Sequence, residues 1–129
     1  MQITFDCADP ASLAQFWAAV LGYAPPDVEG THAVLIALGQ AEADLGSWYR
    51  IDDPSRRGPR LAFQRVPERK VMKNRVHLDL KPLEDAPGAL DAEVDRVVAL
   101  GATELQRVTD EAGTFVIVAD PEGNEFCIG

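Results

Sequence analysis

Four residues in the second half of the chain have side chains that can do chemistry: His77, Asp79, Glu125 and Cys127. An imidazole titrates near neutrality, a carboxylate can take or orient a proton, and a thiol can attack carbon once deprotonated. Arg75, His77, Asp79 and Lys81 alternate with Val76, Leu78 and Leu80, so the polar set shares one face of a predicted strand. Glu125 and Cys127 share a face in the same way, about 7 Å apart along the chain. Near the N-terminus Gln2, Thr4 and Asp6 alternate with Ile3, Phe5 and Cys7. Gln64 ends another short apolar run, Leu61-Ala62-Phe63-Gln64.

The elements that must position these residues follow from periodicity. Residues 2–7 read as a half-buried strand. Asp9-Pro10 is a helix start, with Asp as N-cap and Pro in the first turn. Leu13, Phe16, Trp17, Val20 and Leu21 recur at helical spacing, and Gly22 closes the helix. His32–Leu38, Gly46–Ile51 and Arg60–Val66 read as three strands. Residues 67–74 form a basic connector. The pattern then restarts with a strand at Arg75–Lys81 and a helix carrying Leu90, Val94, Val97 and Val98 up to Gly101. Ala102–Val108, Thr114–Ala119 and Asn124–Ile128 read as the last three strands, with Asp120-Pro121-Glu122-Gly123 as the turn before the final one. The order strand, helix, three strands therefore occurs twice. The expected architecture is α+β: two βαβββ modules, about 1–66 and 75–129, joined by the linker 67–74, with one helix each.

The bulk properties narrow the function. The chain has 129 residues, 47% of them hydrophobic and 26% charged, which suits one globular domain. No apolar run approaches the length of a membrane span. The sequence opens on a strand-like segment without a signal core or cleavage site, which favours the cytosol. A net charge of −9 disfavours nucleic acid as a partner; the surplus could attract a cationic ligand, and its plainer reading is solvated surface carboxylates. The two cysteines, Cys7 and Cys127, lack zinc-knuckle or redox spacing.

The two modules, the Leu-Gly that closes each helix, the Arg-Val-His-Leu-Asp strand and the Asp-Pro-Glu-Gly-Asn-Glu-Phe hairpin together resemble the vicinal oxygen chelate superfamily, of glyoxalase/bleomycin-resistance type, in its glyoxalase-like domain branch. The resemblance implies a cupped, mostly antiparallel eight-stranded sheet around a shared cavity, and frequent pairing into homodimers. It implies a metal ligand on the first, fourth, fifth and eighth strands, which here fall on Gln2, Gln64, His77 and Cys127. Gln64 and Cys127 depart from the carboxylate or imidazole usual there. One imidazole, one thiol and two neutral amides make a poor set for a hard divalent ion. The expectation is a small-molecule binder without a cofactor; the alternative is a lyase, isomerase or dioxygenase, with or without a divalent metal. His77 and Glu125 are the candidate catalytic pair. Gln2, Thr4, Gln64, Arg75, Asp79 and Trp48 are the candidate ligand contacts. His77 also has a plainer reading, as a half-buried histidine satisfied by its neighbours, and Cys127 as a small core residue. Trp48 and Tyr49 alternate, so one of the two faces the cavity.

Overall fold

A computed structural model describes residues 1–111 and 113–129, the side chain of Ala43 excepted. The chain forms two compact units, Met1–Arg69 and Lys70–Gly129. The class is α+β, with seven strands and three α-helices among the described residues.

The N-terminal unit holds β1 (Gln2–Cys7), α1 (Pro10–Leu21), α2 (Val28–Ala37), β2 (Trp48–Ile51) and β3 (Arg60–Arg65). β3 is central, with β1 parallel on one side and β2 antiparallel on the other. α1 starts and stops where its end signals place it. The Asp9 carboxylate accepts from the Ser12 amide at 3.1 Å and from the Ser12 hydroxyl at 2.7 Å. Gly22 takes the left-handed conformation, φ 68°, that lets the chain leave the helix. The alternation of β1 holds as well: Gln2, Thr4 and Asp6 are exposed, and Cys7 is buried. Phe5 stacks on Phe63 and tilts against Trp17, with ring centroids 5.3 and 5.2 Å apart. Leu13, Trp17, Leu61, Phe63 and Ile51 complete this apolar core, each almost wholly removed from water.

The segment 32–38, expected as a strand, is part of α2. Val34, Leu35 and Ile36 form a short apolar run, and such a run does not separate strand from helix. The end signals decide it. The Asp27 carboxylate accepts from the Gly30 amide at 2.9 Å, capping a helix that runs to Ala37, and Gly39 (φ 79°) turns the chain beyond it. α2 buries none of its residues, and Val34 and Ile36 are each 59% exposed. The N-terminal unit therefore has two α-helices and three strands.

The C-terminal unit holds β4 (Asp79–Leu80), α3 (Ala89–Ala99), β5 (Thr103–Asp110), β6 (Gly113–Ala119) and β7 (Glu125–Ile128). Its sheet order is β4-β7-β6-β5, with β4 parallel to β7 and the other pairs antiparallel. Val94, Val97, Val116, Val118, Phe126 and Ile128 are its buried core. The strand expected over 75–81 pairs only at Asp79 and Leu80. Val76, placed by alternation on a packed face, is 76% exposed, because the chain bends at Arg75 and Val76 before it joins the sheet. The described strands thus form sheets of three and four, not one of eight. One feature of the repeat does persist: in each unit the first strand runs parallel to the last.

The turn into β7 is fixed by one side chain. Asp120 is buried, and its Oδ1 accepts from the amides of Glu122 and Asn124, each at 2.9 Å. Its Oδ2 accepts from the Asn124 side-chain amide at 2.8 Å. Asp120→Ala strands these donors and is expected to cost about 2 kcal/mol. Urea unfolding of the two proteins measures it, and a loss of under about 0.5 kcal/mol would show that the turn holds without this carboxylate.

Candidate functional site

Within the C-terminal unit, β4 and β7 bring three of the chemical residues together. The Cys127 amide donates to the Leu78 carbonyl at 2.9 Å, and the Gly129 amide to that of Leu80 at 3.0 Å. Asp79 pairs with Cys127 in the ladder. His77, two residues before Asp79, therefore lies beside the Glu125 end of β7. Its Nδ1 is 3.7 Å from Cys127 Sγ, and its Nε2 is 3.3 Å from Glu125 Oε2. Phe126 and Ile128 alternate to the other face and are fully buried, so packing of β7 fixes where Glu125 and Cys127 point.

Charge completes the cluster. The Lys73 ammonium donates to Glu125 Oε2, the same oxygen that faces His77. That hydrogen bond, followed by the charges of Lys73, His77 and Lys70, lowers the Glu125 pKa. Burial, then the neighbouring Asp79 carboxylate, pushes the Cys127 thiol up, so the sulfur is protonated at rest near neutrality. Lys73 lies in the segment read as a basic connector, and only tertiary structure places it on Glu125. Arg75 is exposed.

The N-terminal unit places the other candidates. Gln64 Nε2 donates to Asp6 Oδ1 at 2.7 Å, across the β1–β3 ladder. Gln2 Nε2 donates to Thr4 Oγ1 at 3.3 Å. Gln2 pairs with Arg60, four residues from Gln64, so the two amides sit roughly 13 Å apart along the sheet. Cys7 is buried and its thiol donates to the Gln64 carbonyl at 3.4 Å. Of the two alternating aromatics, Tyr49 turns inward and its hydroxyl lies 2.8 Å from His32 Nε2. Trp48 is half-buried and lines a groove of about 470 Å³ with Asp27, Val34, Leu35, Arg50 and Asp52. Asp52 is engaged by Arg60 at 2.6 Å and Arg50 at 3.5 Å. The groove could not be foreseen, because part of its wall is the helix α2.

A divalent ion does not fit these donors. Among the described residues no group of three or more His, Cys, Asp or Glu side chains is placed to hold one. Glu125 and Cys127 lie at different nitrogens of the His77 ring, so an ion on one nitrogen cannot reach both. The ammonium of Lys73 already neutralises Glu125. Gln2 and Gln64 are too far apart along their ladder to close on one ion with good geometry.

A sequence profile described as a glyoxalase-like domain matches residues 2–129. The chain belongs to this family. It is therefore a member of the vicinal oxygen chelate superfamily. Solved structures agree on the fold. A glyoxalase/bleomycin resistance protein/dioxygenase family enzyme from Burkholderia phytofirmans PsJN superimposes with a TM-score of 0.66 at 17% identity, over 98% of this chain and 94% of that one. A glyoxalase-related enzyme from Fulvimarina pelagi gives 0.64 at 19%, over 98% and 84%. The fosfomycin resistance protein FosX from Mesorhizobium loti gives 0.65 at 14%, over 99% and 87%. At these identities the likeness is one of fold. No curated protein matches the chain. No helix among the described residues is long and apolar enough to cross a membrane.

The ion pair is directly measurable. The lowered carboxyl of Glu125 contributes stability above the ordinary glutamate pKa, and that contribution is lost as pH falls through the lowered value. Lys73→Gln is expected to raise the Glu125 pKa toward the ordinary range, read by NMR titration of its side-chain carboxyl. An unchanged value would place Lys73 away from this carboxylate.

Proposed function

We propose that this glyoxalase-like protein binds a small planar cation and does so without a divalent metal. The observation that carries this reading is the groove beside Trp48. Its volume of about 470 Å³ suits a small organic molecule. The half-buried indole offers a π-face, and the Asp27 carboxylate lines the same groove, Asp52 being held by Arg50 and Arg60. A cation over an indole face gains up to about 2 kcal/mol when water is excluded. The chain's net charge of −9 adds a long-range attraction of the same sign.

A second reading rests on the His77–Glu125 pair. A carboxylate 3.3 Å from an imidazole nitrogen can fix the ring's tautomer and help it move a proton. That arrangement supports a metal-independent lyase or isomerase acting at His77.

The readings separate by titration with ethidium as the planar cation. The first expects saturable, one-to-one binding, read by the enhancement of ethidium's own fluorescence and weakened about tenfold or more in Trp48→Ala. Unchanged affinity in Trp48→Ala would remove the groove as the site. Turnover of an enolisable substrate with a pH profile that disappears in His77→Ala would favour the second reading instead.

A further inference from the structure

We propose that Cys127 is a nucleophile for small α,β-unsaturated carbonyl compounds, with His77 as the base that takes its proton. Three observations meet at one point. The thiol sulfur lies 3.7 Å from His77 Nδ1. The other ring nitrogen lies 3.3 Å from Glu125. Lys73 is held on that same carboxylate, and its positive charge is felt at Cys127. Nucleophile, base and a third group that orients the base are the arrangement by which a weak nucleophile is activated. A carboxylate at Nε2 favours the tautomer with its proton there, which leaves Nδ1 free to accept from the thiol.

The chemistry follows from the resting state. A buried thiol hydrogen-bonded to the Asp79 carboxylate stays protonated, so attack needs the thiol to turn to a base at the moment of bond formation. In the proposed step Nδ1 takes the Sγ proton as the sulfur lone pair forms a bond to the substrate's β-carbon. The π-pair of the C=C bond moves toward the carbonyl, giving an enolate beside the newly protonated imidazole. Nδ1 then returns the proton to the α-carbon. The product is a thioether on Cys127; nothing leaves, and no oxidant or reductant is consumed. An activated alkene suits this site because one imidazole supplies both proton transfers. Cys127 is only 9% exposed, which restricts the reaction to small acceptors.

The inference rests on the second reading only in that His77 moves a proton. It fails separately, because adduct formation requires no turnover. It is independent of the Trp48 groove.

Cys7 provides an internal control. It is 3% exposed, and its thiol is engaged by the Gln64 carbonyl, so a label there reports unfolding. The experiment is site-resolved mass spectrometry of the full chain during reaction with N-ethylmaleimide, counting only molecules unmodified at Cys7. The expected result is one adduct per chain at Cys127, absent in Cys127→Ser. His77→Ala slows it at least tenfold, and added imidazole restores part of the rate. Glu125→Gln, which keeps an acceptor for the ring, retains more of the rate than Glu125→Ala. Labelling at Cys127 that is equally fast in His77→Ala, or no labelling of the folded protein, overturns the proposal.

Discussion

Two backbone hydrogen bonds between β4 and β7 set the geometry on which the chemistry of the C-terminal unit depends. Cys127 donates to the Leu78 carbonyl and Gly129 to that of Leu80, which fixes the parallel register of a strand only two residues long. A slip by one residue would turn Glu125 and Cys127 into the core and bring Phe126 and Ile128 out. The complete burial of those two apolar side chains is what opposes the slip. Packing of one face thus places a carboxylate and a thiol at the two nitrogens of one imidazole on the other. The buried Asp120 turn immediately before β7 anchors the start of that strand.

Electrostatics then decides what this constellation can hold. In a superfamily whose name refers to metal chelation, a carboxylate on the final strand would be a natural ligand. Here Glu125 faces an ammonium and an imidazole instead. A divalent ion at this oxygen would have to displace Lys73, and among the described residues no group of three or more His, Cys, Asp or Glu is placed to hold it. The cost of stripping an ion of its water is not offset by so few anionic donors. The same arrangement leaves the imidazole available for proton transfer.

Much of this was legible in the sequence. The end signals of α1, the alternation in β1, the Asp120 turn and the inward core of Phe16 and Trp17 all follow from local rules, and all are present. Alternation put His77 and Glu125 each on the polar face of its own strand, but not beside one another. The strand expected at 32–38 is a helix, because an apolar run carries no period and the Asp27 cap settles the matter locally. The reach of Lys73 to Glu125 spans 52 residues and has no local signature. Nor does the approach of His32 to Tyr49, or of Gln64 to Asp6, since each depends on which strands become neighbours. The third group that completes the Cys127–His77 pair is Glu125, visible only once β4 and β7 are laid side by side.

The central claim is that Lys73, and no divalent ion, neutralises the carboxylate on the last strand. Metal content by mass spectrometry tests it most directly, on untagged protein purified without chelator and then incubated with zinc, nickel, manganese and ferrous iron, for wild type and His77→Ala. The account predicts far less than one metal per chain in both proteins. About one metal per chain in the wild type, lost in His77→Ala, would contradict it.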